Sequence, residues 1–461
     1  MLHRFVFFFL LVFSLAFSIA CGDMPEAIPA PHAIATVQPY GDGGKTFLFA
    51  TNRYTDQVYR VDLSNFDVRE VKVGNKPRNI TASPDGRQVA VASEKDKSIT
   101  LIDTLSLHAR RVHTGREPRD VRYSPDGQWI AVANYKNESV SLIGSQSGEH
   151  YVVWVGGGPA SVAFDETSRI VAVACFYEES IKVIGVASKQ IVAQWNMYEI
   201  PGLDVFSEPQ AVAFGPAGTP AGRTLFVGMR TDSYVTSDAY ADSIATIPLW
   251  VADDELEIGH ARGIRAGPNP RGFSFDHDGG RVIVINKSLT EGDESGYDVD
   301  TLSVLIRDTG ETEPPPISGP GKAPTFPVEV GRPSLADYEP PPDQLERIRG
   351  KPRSALLESA WRELSRLVME RNPTAVAMHP EKDRIAVACR NGDTVIVVDL
   401  DSLQMSMFAT EERPYALSFD PTGQYVIVAH ETPLMPLSII DTYDGDVRVL
   451  FDSLSMRDWV E

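Results

Sequence analysis

PRNITASPDGRQVAVASEKDKSITLIDT, residues 77–104, and PRDVRYSPDGQWIAVANYKNESVSLIGS, residues 118–145, are two copies of one pattern. Each opens on a proline, alternates apolar and polar residues into a Pro-Asp-Gly turn, and continues through a β-branched run into a second short strand. PTAVAMHPEKDRIAVACRNGDTVIVVDL (373–400) and PYALSFDPTGQYVIVAHETPLMPLSIID (414–441) carry it again. Pro77 to Pro118, Pro118 to Pro159 and Pro373 to Pro414 are each 41 residues apart, a period that suits one four-stranded propeller blade. Period-2 alternation marks the strands, and Pro-Asp-Gly or Asp-Ser/Thr pairs mark the turns. In the unit from Pro77 the strands are expected at Asn79–Ala82, Gln88–Ser93, Ile99–Asp103 and Ala109–His113.

Eight units can be drawn, beginning at Pro31, Pro77, Pro118, Pro159, Pro209, Pro270, Pro373 and Pro414. The expected fold is an all-β propeller of eight four-stranded blades over residues 31–452, with a seven-bladed ring as the alternative. Unit six is the weak one, because its fourth strand must come from the Pro-rich stretch after Thr309. A blade cannot bury both faces alone, so the ring must close.

The irregular parts stand out against this frame. Unit five carries Arg230–Ser243, unit six carries Lys287–Asp300, and Met197–Ser207 lengthens the link from unit four to five. The largest insertion, about 309–372, is read as the connection from unit six to seven. It begins Pro-rich, then shows helical spacing of Leu356, Ala360, Leu364 and Leu367, which predicts a helix over about 354–371. Second-to-third strand loops and blade connections emerge on one face of a propeller, so these insertions are expected to decorate that face. Loops on a rigid scaffold are where binding residues concentrate.

The repeat resembles the YVTN-type β-propeller repeats of bacterial exported and surface proteins. The eponymous strand reads here as Phe49–Asn52, Val132–Asn134 and Val284–Asn286. The missing Gly-His and Trp-Asp pairs disfavour a WD40 propeller. What the resemblance implies is specific for fold and poor for function; similar propellers include lactonases and the haem d1-binding domain of nitrite reductases.

At its start the chain reads as a secretory signal over residues 1–20: Arg4, an apolar run Phe5–Phe17, then Ser18-Ile19-Ala20. The run is short for a membrane span. Cys21 after this small-residue site resembles the lipobox of bacterial lipoproteins, which implies lipidation and an outer-membrane location, with ordinary cleavage as the alternative. Residues 21–30 are then a tether and 453–461 a tail. Without the leader the chain has 42 basic and 63 acidic residues, a net charge of −21. Such a chain repels nucleic acid and anionic head groups.

Catalytic signatures are missing. There is no Cys-x-x-Cys-His and no His-Glu-x-x-His, and Gly41–Thr46 mimics a phosphate loop with Pro39 where the first glycine belongs. The acidic run Glu291–Asp300 lacks the ordered alternation of an EF-hand. Cys175 and Cys389 share one offset in blades that are not neighbours, so no disulfide is expected. The residue after the repeat proline enters the innermost strand near the channel mouth. There the chain sets Arg78, Arg119 and Arg271, able to hold a carboxylate or phosphate, with pairing to Asp120 or Glu208 as the bland alternative. Asn52, Asn134, Asn286 and His430, at the ends of second strands, are further hydrogen-bonding candidates. The expected function is non-enzymatic binding of an envelope partner or small anionic ligand by a monomer, without metal or cofactor. A lactonase-type or haem-binding propeller is the alternative, with His430 as the one histidine placed for the latter.

Overall fold

Strand two of each blade explains the assembly. In Gln88–Ser93 the alternation sends Val89 and Val91 to one face, where they pack with Phe47, Phe49 and Val58 of the first blade. Ala90 and Ala92 go to the other face, against Val121, Ile130 and Val132 of the third. The same division recurs in Trp129–Asn134, whose Ile130 and Val132 face blade two while Ala131 and Ala133 face blade four. A strand that is bulky on one face and small on the other fits between two neighbours. It is stable only when both are present, because period-2 alternation buries two faces.

The computed structural model describes residues 34–37, 45–53, 55–65, 67–200, 207–219, 221–231, 244–252, 255–264, 266, 269–287, 301–307, 361–369, 372–420, 422–430, 437–443 and 447–449. They form eight antiparallel sheets, each taking its strands in sequence order. Blade one comprises Ile34–Val37, Phe47–Asn52, Gln57–Asp62 and Val68–Lys72. The first strands of blades two to eight are Pro77–Ala82, Pro118–Tyr123, Pro159–Phe164, Ser207–Phe214, Pro270–Phe275, Pro373–Met378 and Pro414–Phe419. Each first strand touches the next around the ring, and that of blade eight touches that of blade one. The eight-bladed reading holds and the seven-bladed alternative falls.

Eight buried apolar clusters occupy the eight seams between neighbouring blades. The closing seam joins Leu48, Ala50 and Val61 of blade one to Ile427, Ala429 and Leu437 of blade eight. Across it the Tyr415 hydroxyl donates to the Thr51 carbonyl at 2.8 Å. Cys175 and Cys389 form no disulfide and are buried on the bulky faces of their strands, as their shared offset requires.

Three expectations need correction. Trp361–Val368 is a strand, the fourth of blade six, paired with Thr301–Arg307; the helix predicted over 354–371 is not formed there, and residues 354–360 lie outside the described residues. Pairing to an open strand edge overrides helical spacing. The Pro-rich stretch does not supply this strand: proline lacks the N–H that a ladder needs, whereas Trp361–Val368 has one at every residue. The long insertion therefore joins the third and fourth strands of blade six, so it leaves from the opposite face to the 231–244 and 286–301 loops. The interiors of those loops, 232–243 and 288–300, also lie outside the described residues. Blade five departs mildly: its third strand, Ile244–Ala252, pairs with Glu255–Ile258 at one end and Arg262–Ile264 at the other.

A polar belt ties the innermost strands together. The buried Asp120 carboxylate accepts from the Asn79 amide of blade two at 2.7 Å. It also accepts from the Ser161 hydroxyl and Val162 N–H of blade four, each at 3.0 Å. Replacing Asp120 with alanine strands three donors from two neighbouring blades. The expected loss is about 3 kcal/mol of unfolding free energy, read by denaturant titration; a loss under about 1 kcal/mol means that the belt is not structural.

Candidate functional site at the channel mouth

In seven of the eight blades the first strand carries a β-bulge at the residue after its proline, which the ladder to strand two skips. The bulged residues are Arg78, Arg119, Ala160, Gln210, Arg271, Thr374 and Tyr415. A left-handed residue precedes the proline in most of them: Lys76, Glu117, Gly158, Asn269, Asn372 and Arg413 all have positive φ. Its carbonyl takes the N–H just beyond strand two, as in Glu94 N–H to Lys76 O at 3.1 Å and Tyr135 N–H to Glu117 O at 3.0 Å. A bulge re-aims one side chain without breaking the sheet, so the repeat itself sets one side chain per blade at the mouth.

Three of these side chains stitch a blade to the next. Gln210 donates to the Pro270 carbonyl of blade six at 2.8 Å. Thr374 donates to the Pro414 carbonyl of blade eight at 3.3 Å, and Tyr415 reaches Thr51 of blade one. Arg78 lies in the same register between blades two and three, but there it meets another cation. Its side chain is 14% exposed and its Nη1 lies 3.6 Å from Glu94 Oε2, an ion pair too long for a hydrogen bond. Its Nε is buried without a partner. Burial first, then neighbouring Arg119, pull its pKa down to about 10.

The surroundings of Arg78 are preorganised. Glu94 is held by Arg53 of blade one at 2.9 Å. Arg119 gives Nε and Nη2 to Glu117 Oε1, at 3.1 and 2.8 Å, and its guanidinium lies 3.1 Å above the Tyr135 ring centroid. Tyr135 in turn contacts Tyr177, which is exposed. Asp120, which sequence offered as a partner for Arg119, is buried and pairs with Arg122 at 3.3 Å instead. Arg271 is at the equivalent place on blade six. It is open to water yet flanked by protein, and that enclosure, with Arg230 beside it, lowers its pKa. Arg230 itself pairs with Glu208 at 3.9 Å.

The structure thus brings Arg78 and Arg119 together and leaves Arg271 on a separate seam. The other four candidates are turned into the blades. Asn134 accepts from Gly115 N–H and donates to Ser141, both at 3.0 Å. Asn286 donates to Ser303 and Thr301 at 2.9 and 3.2 Å, and Asn52 donates to Tyr59 at 3.4 Å. His430 is fully buried, with Nε2 2.8 Å from the Ser438 hydroxyl and Nδ1 3.2 Å from the Glu412 carbonyl. Burial pushes its pKa down to about 4. Sequence reading missed Arg53, Glu94 and Tyr135, which share one register position just past strand two. That offset was available in the repeat. A separate cleft of about 740 Å³ lined by Tyr123, Trp129 and Asp126 opens on the opposite face and contributes nothing to this cluster. Among the described residues no group of three or more His, Cys, Asp or Glu is placed to hold a metal ion.

No family model matches the chain, and no curated protein matches it. Among solved structures it is similar to the dihydro-heme d1 dehydrogenase NirN in complex with DHE, at 15% identity and TM-score 0.54 over 93% of this chain and 74% of that one. It is also similar to Kuenenia stuttgartiensis hydrazine synthase, at 16% identity and TM-score 0.50 over 80% of this chain and 95% of that one. A putative 6-phosphogluconolactonase from Bacteroides uniformis aligns at 11% identity and TM-score 0.47, over 84% and 98%. At such identities the likeness defines the class alone: a β-propeller.

His430 supplies a pH test. Unfolded, it titrates near 6.5; folded, near 4. The folded state is therefore favoured fully above about pH 6.5, and that advantage drains away as pH falls toward 4, by up to about 3 kcal/mol. His430→Asn, the residue at the same register in blades one, three and six, removes this dependence. Denaturation of both proteins between pH 7 and 4.5 should show the wild type losing stability relative to the variant; parallel curves mean that His430 takes up its proton in the fold as readily as in the unfolded chain.

Proposed function

We propose that this chain is an exported, envelope-anchored propeller that works by binding, without catalysis, and that it holds an anionic partner on the face where the bulged arginines emerge. One observation carries the reading. A chain of net charge −20 gathers Arg53, Arg78 and Arg119 around two carboxylates, Glu94 and Glu117, at one mouth of its ring. Like charges concentrated against the protein's own field need a counter-charge, and planar guanidinium groups suit carboxylate or phosphate. The signal-like start and Cys21 support delivery to the envelope, with a lipid at Cys21 as the anchor to the outer membrane.

The binding half is tested by thermal unfolding in phosphate, citrate or a poly-glutamate peptide at constant ionic strength. A ligand at 100 times its Kd stabilises by about 2.7 kcal/mol, so wild type should melt several degrees higher in at least one of them. Combined replacement of Arg78, Arg119 and Arg271 by glutamine should abolish the shift, and equal shifts in both proteins would rule the site out. For the anchor, palmitate labelling should appear in wild type and vanish in Cys21→Ser; equal labelling refutes it.

A further inference from the structure

The seam between blades two and three is chemically incomplete. Buried polar groups in folded proteins are almost always hydrogen-bonded, and a guanidinium has five N–H donors. Arg78 makes no hydrogen bond within the described residues: its one ion pair is the 3.6 Å approach to Glu94, and its buried Nε has no partner. At the three seams where the bulged residue is Gln210, Thr374 or Tyr415, that residue donates to a backbone carbonyl of the following blade. At this one the following blade presents Arg119. Its Nε and Nη2 are turned onto Glu117, and its ring-like face lies on Tyr135. Two cations are thus neighbours at a register where those three seams set donor against acceptor. Glu94 does not resolve this, since its Oε2 sits closer to Arg53, at 2.9 Å, than to Arg78.

Resting on the binding reading above, we propose that a single oxyanion group, a carboxylate or a phosphate, is bound between Arg78 and Arg119 at the seam of blades two and three. It takes the open donors of Arg78, including Nε, and shares the charge of Arg119. Arg53 stays committed to Glu94 and sets the outer limit of the site. The ligand is recognised locally by one seam rather than by the ring of arginines as a whole, and Arg271 belongs to a different seam. The body of a larger ligand would extend toward the exposed Tyr177, whose ring packs at a tilt against Tyr135.

Titration calorimetry with inorganic phosphate and with acetate, on the full chain purified in mild detergent, tests this. Arg78→Gln should weaken the better-binding anion at least tenfold, about 1.4 kcal/mol, while Arg87→Gln, an equal loss of charge in a turn on the opposite face, should not. Glu94→Gln should move the other way and tighten binding several-fold, because it removes the carboxylate that competes for Arg78; a merely structural Glu94 cannot do that. Preference for phosphate over acetate, or the reverse, identifies the head group. Unchanged affinity in Arg78→Gln, or weaker binding in Glu94→Gln with the fold intact, overturns the proposal. Loss of binding in Arg271→Gln but not in Arg78→Gln keeps the binding reading and rejects this seam. Should neither anion bind wild type, both fall.

Discussion

Each blade can bury its faces only against its neighbours, and the rest of the structure follows from that constraint. Four short strands have no interior of their own; the apolar clusters are all seams, one between each pair of blades. Burial at about 25 cal/mol per Å² is therefore gained only when the ring is closed, and the closing seam at Leu48, Ala50 and Ile427 is no different in kind from the others. The bulky-and-small division of strand two is the sequence expression of this constraint. It repeats as VAVA in Val89–Ala92 and IAVA in both Ile130–Ala133 and Ile385–Ala388.

The constraint also creates the site. Inner strands must converge at the axis, and each seam must satisfy the backbone where one blade hands over to the next. A left-handed residue, a proline and a bulge do this, and as a by-product they aim one side chain toward the next blade. At most seams a neutral donor or a small residue fills the place. Where arginine fills it twice in succession, at residues 78 and 119, the stitch is replaced by a cationic gap. The proposed binding chemistry arises from a structural position that carries arginine at these two blades, within the same bulged strand that the other blades use.

Much of the fold was legible because a 41-residue period fixes strands, turns and order together. Blade two was placed to within two residues at each strand end. The strand at Trp361–Val368 was misread because leucines at helical spacing outweighed a need that lay elsewhere in the chain, the open edge of Thr301–Arg307. That same misreading put the long insertion on the wrong face. The arginines were correctly set at one register, but register fixes height along a strand and not the face a side chain takes. Asn134 shares its parity with Ile130 and Val132, which face blade two, so alternation alone places it inside the seam. Asn52, Asn286 and His430 follow the same parity, with Leu48, Val282 and Val426. What sequence could not supply was the pairing of Glu94 with Arg53 across a seam, since that choice depends on side-chain reach in three dimensions.

Anomalous diffraction from crystals soaked in bromide tests the central claim most directly, because a heavy halide reports where the protein leaves cationic donors unsatisfied. The expected result is a strong anomalous peak between the Arg78 and Arg119 guanidinium groups, within about 3.5 Å of Arg78 Nε, with Glu94 still paired to Arg53. An empty seam in which Arg78 closes onto Glu94 or Glu117 with its donors satisfied would contradict it.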